Sequence, residues 1–189
     1  WRMECLNNPV ELIRQPSVDD ARDRRVLSAD VWLTHGNRLV CEHVDELEMI
    51  YRHSRSVELP KIMLSALETA LRRSEMAYLL RNNVTLEKRV ALLPMTKNGS
   101  ARGVPLSSKA VEVLSQLPQR EDGRFFRSRP DTITKAFADA LEDARKSYEE
   151  GLMQHFKQEK ISLQKSEKLI NSDPFLKDMR FHDLRHEAT

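Results

Sequence analysis

The stretch from Val90 to Leu106, VALLPMTKNGSARGVPL, decides the expected fold. Two short apolar segments, 90–95 and 103–106, flank a polar connection that contains Asn98-Gly99. Asn-Gly between apolar segments is a strong signal for a β-hairpin. Residues 84–86 have the same short apolar character and supply a third strand. We therefore expect a small antiparallel sheet of three strands.

On both sides of this sheet the apolar residues follow a helical period. Residues 43–53, 60–73 and 131–146 place apolar side chains every three or four positions, as a half-buried helix does. Pro60 suits the first turn of its helix. Shorter helical segments are predicted near four further residues: Ser28, Ser74, Ser107 and His182. The expected fold class is mainly α with a small antiparallel three-stranded sheet, an α+β domain.

The chain divides into an arm and one domain. Residues 1–27 are interrupted by prolines and show no sustained apolar period, so they are expected to form an extended arm. Residues 28–189 are expected to form the domain, incomplete at its C-terminal end. Within it, residues 142–178 combine balanced charge with a thin apolar seam. We expect a helical hairpin on the surface there, with Gly151 near its bend.

Composition excludes several classes of protein. The 189 residues carry 31 Lys and Arg against 29 Asp and Glu, and only 5 Gly, which argues against glycine-rich phosphate loops and dinucleotide-binding folds. Cys5 and Cys41 lie far apart, which excludes a disulfide framework or a thiolate zinc site. No run of 18 apolar residues is present, so no membrane partner is expected. These features favour a cytoplasmic protein.

Four segments could carry chemistry: Thr69–Glu75, the hairpin around Lys97, Phe181–His186, and the arm with Asn8-Pro9 and the Arg-rich residues 22–25. Alone, each has an ordinary explanation, since arginines favour helix C-termini and a Lys beside a turn is commonly just exposed. His182 and Arg185 are three positions apart, so on a helix both can point at one site. His182 and His186 have the spacing of two zinc ligands. Asp183, however, stands where the HExxH motif has Glu, and no third ligand is suggested, so no metal is expected.

In their order and spacing these segments resemble the catalytic domain of tyrosine recombinases, the phage integrase family. The matching motifs are T-A-L-R-R-S-E at 69–75, T-K-N-G-S-A-R-G-V-P-L at 96–106 and H-D-L-R-H at 182–186. The arm, with Asn8-Pro9 and an Arg-rich end at 22–25, resembles the segment that leads into this domain. The resemblance covers nearly the whole chain.

The resemblance implies site-specific DNA recombination. In this family a Tyr attacks a phosphodiester, which leaves a 3′-phosphotyrosine and a free 5′-hydroxyl. Arg72 and Arg185 match the two arginines that bind the phosphate, and a guanidinium suits that charge because it is bidentate and always protonated. Lys97 matches the general acid for the leaving oxygen. His182 matches the residue that bonds the phosphate or manages the nucleophile's proton.

The resemblance also implies supporting residues and partners. Glu75 would orient an arginine, Arg102 would contact the phosphate or the hairpin, and His186 would support the site or contact DNA. The implied partners are double-stranded DNA and other recombinase protomers, in a synaptic tetramer of the full-length protein. The protein would act at the nucleoid, and no cofactor is implied.

The sequence departs from the family pattern in three places. The nucleophilic Tyr is expected some tens of residues after the last motif, beyond Thr189. Tyr51, Tyr78 and Tyr148 all precede that motif, and the first two are expected to pack in the interior, so the 189 residues alone are expected not to cleave DNA. Ala70 stands where Gly is common. The stretch 142–178 is longer than usual and is interpreted as an insertion.

Other readings of the sequence stay open. The chain could be an integrase-like module that grips DNA without cutting it. It could be an all-helical protein-interaction domain, in which case Arg72, Lys97, His182 and Arg185 would not converge. A type IB topoisomerase uses related chemistry, although the arm and the H-D-L-R-H motif favour an integrase.

Overall fold

The computed structural model of the chain describes residues 24–36, 38–94 and 101–188. Most of the expected arm, and the turn that contains Lys97, lie outside these residues, so those expectations stay predictions. The described part combines helices with two small antiparallel sheets. This architecture confirms the predicted α+β class.

A two-stranded antiparallel hairpin follows residue 27. It consists of β1 (Ser28–His35) and β2 (Arg38–Asp45), in a register that pairs Trp32 with Cys41. The predicted helical turn at Ser28 is therefore wrong, and the predicted helix at 43–53 starts too early. Ala29 and Val31 alternate with the exposed Ser28 and Asp30, which is the period of a half-buried strand.

Three short helices come next. They are α1 (Glu46–Arg52), α2 (Leu59–Thr69) and α3 (Arg73–Ala77). Pro60 lies in the first turn of α2, as predicted. This helix ends at Thr69, earlier than predicted, because Ala70 adopts the left-handed conformation with φ of 51°. The chain then turns sharply just before Arg72.

The predicted three-stranded sheet is confirmed. It consists of β3 (Val84–Thr85), β4 (Val90–Leu93) and β5 (Arg102–Pro105), in the antiparallel order β3-β4-β5. A 3₁₀ turn, Arg81–Asn83, precedes it, and α4 (Ser108–Ser115) follows it. The Ser107 hydroxyl caps α4 by accepting from the Ala110 amide at 3.0 Å, as expected for an N-cap serine.

The charged region forms a different hairpin from the predicted one. Here α5 (Pro130–Gln158) is a single continuous helix, and α6 (Leu163–Ser172) follows a turn at 159–162. The predicted bend at Gly151 is wrong. A Cβ at Gly151 would lie 1.8 Å from the carbonyl oxygen of Trp32, so this glycine lets the backbone of β1 approach α5.

The last described elements pack against the same apolar core as the α2–α3 junction. A 3₁₀ turn, Phe181–Asp183, leads into α7 (Leu184–Glu187). Leu71 and Leu184 are 1% and 0% exposed, so the arginines beside them are carried on the surface of a shared core. None of the described helices is both long enough and apolar enough to cross a lipid bilayer.

Candidate active site

The junction between α2 and α3 positions Arg72. Buried Leu71 anchors the backbone, and the amide of Arg72 donates to Glu75 Oε2 at 2.8 Å. The guanidinium donates from Nη1 to Glu75 Oε1 at 2.9 Å. With this carboxylate on one side, the Arg72 side chain stays 35% exposed, so the guanidinium is both oriented and accessible.

Glu75 joins a second arginine to the first. Arg102, at the start of β5, donates from Nη2 to Glu75 Oε2 at 2.8 Å. Burial of Glu75 raises its pKa, but the hydrogen bonds from Arg72 and the charges of both arginines outweigh burial, and the net pKa is lowered. The carboxylate is therefore ionised at neutral pH. The buried Arg102 Nε finds no acceptor among the described residues.

Arg185 reaches the same place from the other end of the chain. Its neighbour Leu184 is buried, and its Nε donates to the carbonyl oxygen of Ala70 at 2.9 Å. Ala70 has the left-handed conformation at the end of α2. This contact spans 115 sequence positions and ties α7 directly to the junction that carries Arg72.

Like charges crowd this site. Burial and the positive charges of Arg72 and Arg102 lower the pKa of Arg185, against the opposite effect of Glu75. Burial, with Arg185, His186 and Arg72, lowers the pKa of His182. Three guanidinium groups thus share one carboxylate, and an anion bound among them would relieve their repulsion.

The structure brings together most of the residues predicted from the motifs. Arg72, Glu75, Arg102, His182 and Arg185 form one cluster, and the His186 ring lies with its centroid 6.2 Å from that of His182. This convergence and the two sheets contradict the reading as an all-helical interaction domain.

Lys97 lies outside the described residues. The strands on either side of it are described, and Leu93 of β4 pairs with Arg102 of β5. Since the Arg102 side chain bonds Glu75, the start of β5 lies beside this cluster.

A groove of about 920 Å³ adjoins the cluster. Arg72, Arg73 and His182 contribute to its lining, and Phe137 and Leu141 of α5 give it an apolar wall. The rest of the lining mixes charges of both signs: Glu142, Arg145, Lys146, Glu149, Lys177, Asp178 and Arg180. The arginine cluster is therefore the stronger site for an anion.

The three tyrosines make no hydrogen bond to the cluster within the described part of the chain. Tyr148 is buried and donates to Asp173 Oδ2 at 2.8 Å, and burial together with that carboxylate raises its pKa well above the usual range. Tyr51 and Tyr78 are 55% and 56% exposed, so the prediction that they pack in the interior is wrong. No hydrogen bond in the described part of the chain joins a tyrosine to Arg72 or Arg185.

Sequence reasoning missed two carboxylates that hold the backbone near the cluster. Glu46 is fully buried and Glu187 accepts from the amide of Val26 at 2.8 Å. A signal for Glu46 was present, because it lies four positions before the buried Ile50 and so on the buried face of α1. Within residues 24–36, 38–94 and 101–188, no group of three His, Cys, Asp or Glu side chains could hold a metal ion.

Comparison with known proteins identifies the family of the chain. Residues 42–189 match the phage integrase family model. The chain is 32% identical over 184 residues to the shufflon-specific DNA recombinase of Escherichia coli. The aligned region covers 97% of this chain and 36% of that protein. Two Haemophilus influenzae proteins, described as candidate integrase/recombinase proteins, are 34% and 35% identical over 58% of this chain and cover 29% and 34% of their own lengths. The chain spans about a third of the length of the curated relatives it matches. It belongs to the phage integrase family of tyrosine recombinases.

Proposed function

We propose that this chain supplies the phosphate-binding part of the active site of a site-specific recombinase, which cuts and rejoins double-stranded DNA through a 3′-phosphotyrosine. The observation that carries the proposal is the 2.9 Å bond from Arg185 to Ala70, which brings the guanidinium of α7 to the Arg72 junction. Two arginines that are distant in sequence, crowded by like charge, suit one phosphate.

Arg72 and Arg185 act on the transition state. In-line attack on a phosphodiester spreads negative charge over the non-bridging oxygens, and each guanidinium donates to that charge. Glu75 fixes Arg72 before DNA arrives, so little reorganisation is needed during the reaction. Arg102 shares the same carboxylate and adds positive charge beside the scissile phosphate.

His182 manages a proton or bonds the phosphate. Its lowered pKa keeps the ring neutral at neutral pH, so one ring nitrogen can accept a proton or a hydrogen bond. The arriving phosphate offsets the nearby positive charges and raises that pKa. His182 therefore becomes a better base when DNA is bound.

Lys97 and an attacking Tyr complete the reaction. Lys97 gives a proton to the 5′-oxygen as it leaves, and the Tyr forms the new bond to phosphorus. We assign the nucleophile to a residue outside positions 1–189, because among the described residues no tyrosine side chain is hydrogen-bonded to the arginine cluster. The 189 residues alone then bind DNA, with steep dependence on salt, and form no covalent adduct.

The absence of a tyrosine hydrogen-bonded to the cluster, within the part of the chain that the structure describes, also favours a second candidate, an integrase-like module that binds DNA without cleaving it. Its phosphate contacts would be the same. The two candidates differ in whether the full-length encoded protein forms a covalent adduct, and in whether the protomers assemble on two DNA duplexes.

The test is adduct formation on a denaturing gel, with the full-length encoded protein and duplex DNA containing its target site. We expect an adduct through the 3′-phosphate, formed in the presence of a metal chelator. Lys97→Ala should be inactive on ordinary DNA and active on DNA with a 5′-thio leaving group, which needs no strong acid. Arg185→Ala should stay inactive on both substrates.

Arg124→Ala is the matched control, because it removes an arginine that pairs with Asp122 at 2.8 Å and belongs to neither the cluster nor its groove. It should leave adduct formation near the wild-type level. No adduct from the wild-type protein would favour the binding module. Equal rescue of Lys97→Ala and Arg185→Ala would show that Lys97 is not the acid.

A further inference from the structure

Residues Arg24–Leu27, here called the strap, lie between α1 and α7. The guanidinium of Arg24 bonds both oxygens of Glu46, with Nη1 2.7 Å from Oε2 and Nη2 2.5 Å from Oε1. The Leu27 amide donates to Glu46 Oε2 at 2.9 Å, and the Glu46 amide donates to the Leu27 carbonyl at 3.0 Å. The strap is thus bonded at both of its ends to the first residue of α1.

Glu46 is the buried centre of this arrangement. It has 0% exposure, and besides Arg24 and Leu27 it accepts from the Leu176 amide at 2.5 Å. Arg24 also donates to the carbonyl of Lys177 at 3.2 Å. A buried carboxylate is stable only when it is paired and hydrogen-bonded in this way, so the strap, α1 and residues 176–177 form one rigid unit.

The middle of the strap contacts α7. The Val26 amide donates to Glu187 Oε1 at 2.8 Å, and the guanidinium of Arg25 bonds the carbonyl oxygen of His186. His186 and Glu187 directly follow Arg185. Since α7 has only four residues, its last carbonyls depend on donors from elsewhere, and a cation at that end is favourable.

We infer that the strap positions Arg185 for phosphate binding, and that Glu46 and Glu187 are positioning residues for it. The inference rests on the proposed function. Arg185 is held from one side by its bond to Ala70 and from the other by the strap contacts at the next two residues. Loss of the strap leaves the Ala70 contact alone to orient the guanidinium, and small misplacements of a catalytic group are costly.

The test compares Glu187→Ala and Glu46→Gln with a matched control, Glu58→Gln. Glu58 is also a carboxylate that fastens a loop, since it accepts from the amides of Arg127 and Ser128 at 2.8 and 3.0 Å, and it bonds neither the strap nor α7. Each variant of the full-length encoded protein is assayed for adduct formation on ordinary DNA and on DNA with a methylphosphonate at the scissile position. The methylphosphonate has no negative charge and so depends less on Arg185.

We expect Glu187→Ala to slow adduct formation about 10-fold on ordinary DNA and much less on methylphosphonate DNA, with Glu46→Gln in the same direction. Arg185→Ala should show the same pattern more strongly. Glu58→Gln should show any deficit equally on both substrates. An equal deficit on both substrates for the strap variants would mean that the strap only stabilises the fold, and would overturn the inference.

A second measurement needs no activity. The Arg185 Nε–H donates to Ala70, so its nitrogen resonance in the 189-residue chain reports whether the guanidinium is held. Glu187→Ala should speed its exchange with water, whereas Glu58→Gln should not. An unchanged Arg185 resonance overturns the inference. If the wild-type protein forms no adduct, the proposed function fails and the catalytic role of the strap with it, while the resonance still reports whether the strap holds Arg185.

Discussion

Arg145 and Arg185 are both partly buried, but their surroundings use them differently. Arg145 is 11% exposed and donates to Glu149 at 2.6 Å and to the carbonyls of Ile170 at 2.7 Å and Phe175 at 2.5 Å, around the end of α6. Arg185 donates from Nε to Ala70, and no acceptor in the described part of the chain meets its terminal nitrogens. A guanidinium whose nitrogens all find acceptors in the protein stabilises the fold. A guanidinium whose terminal nitrogens lack such acceptors, and which lies beside other cations, is suited to bind an anionic ligand.

The largest expected effect is the loss of activity when Arg185 is replaced. Arg185→Ala in the full-length encoded protein should lower the rate of adduct formation about 100-fold or more, because one lost transition-state donor costs roughly 3 kcal/mol. The free energy of unfolding should change little, since the substitution also removes repulsion with Arg72. Rate on a gel and unfolding in urea check the two parts. A large loss of stability with the rate unchanged would place Arg185 with Arg145.

Replacement of Arg145 should instead lower stability. Arg145→Ala should lower the free energy of unfolding by about 2 kcal/mol, since it removes the hydrogen bonds from Arg145 to Glu149 and to the carbonyls of Ile170 and Phe175. Urea unfolding of the 189-residue chain measures this. Lys135→Ala, on the same helix and exposed, is the control and should be near neutral. An Arg145→Ala chain as stable as wild type would contradict the assignment.

The pKa of His182 gives a further test of the positive charge around Arg185. Its folded-state pKa lies below the unfolded value of about 6.5, because of burial and then the charges of Arg185 and its neighbours. The unfolded chain therefore binds the proton more readily, so stability is lost as pH falls through and below 6.5. A titration followed by NMR should show the lowered pKa, and Arg185→Ala should raise it. If the substitution leaves the pKa of His182 unchanged, the charge of Arg185 does not act on His182.

The smallest expected effect concerns the backbone that carries the Arg185 acceptor. Ala70 has φ of 51°, where a residue with a Cβ is strained and Gly is not. Ala70→Gly should raise the free energy of unfolding by roughly 1 kcal/mol. Ala66→Gly, inside α2, should have the opposite sign. Destabilisation by both would show that the left-handed position gains nothing from glycine.

The sequence carried local signals for part of this fold. Asn98-Gly99 and its apolar flanks predicted the sheet, and Pro60 and Ser107 marked helix starts. The hairpin β1–β2 was missed because its alternation covers only Ala29 to Leu33. Gly151 suggests a bend by its residue type alone, since its actual neighbour, the Trp32 backbone, is more than 100 positions away and leaves no local pattern.

The motifs predicted the residues of the candidate site, but they did not predict the contacts that hold those residues in place. Arg72, His182 and Arg185 stood out because of their order and spacing with Lys97. The acceptor of Arg185 is a main-chain carbonyl at Ala70, and such an acceptor has no signature in the residue type. The contacts of Glu46 and Glu187 likewise go to backbone amides of distant segments. Physical proximity of this kind appears only when the chain is folded.

The long interval between Ala70 and Arg185 has a consequence for synthesis. Those 115 positions correspond to roughly 5 to 25 s of translation, during which Arg72 and Glu75 exist without their distant partner. A nascent chain in that interval has half of the anion site and is surrounded by ribosomal RNA, a dense polyanion. Because Arg185 is made last, the growing polypeptide cannot bind a phosphate with Arg72 and Arg185 together until α7 has emerged.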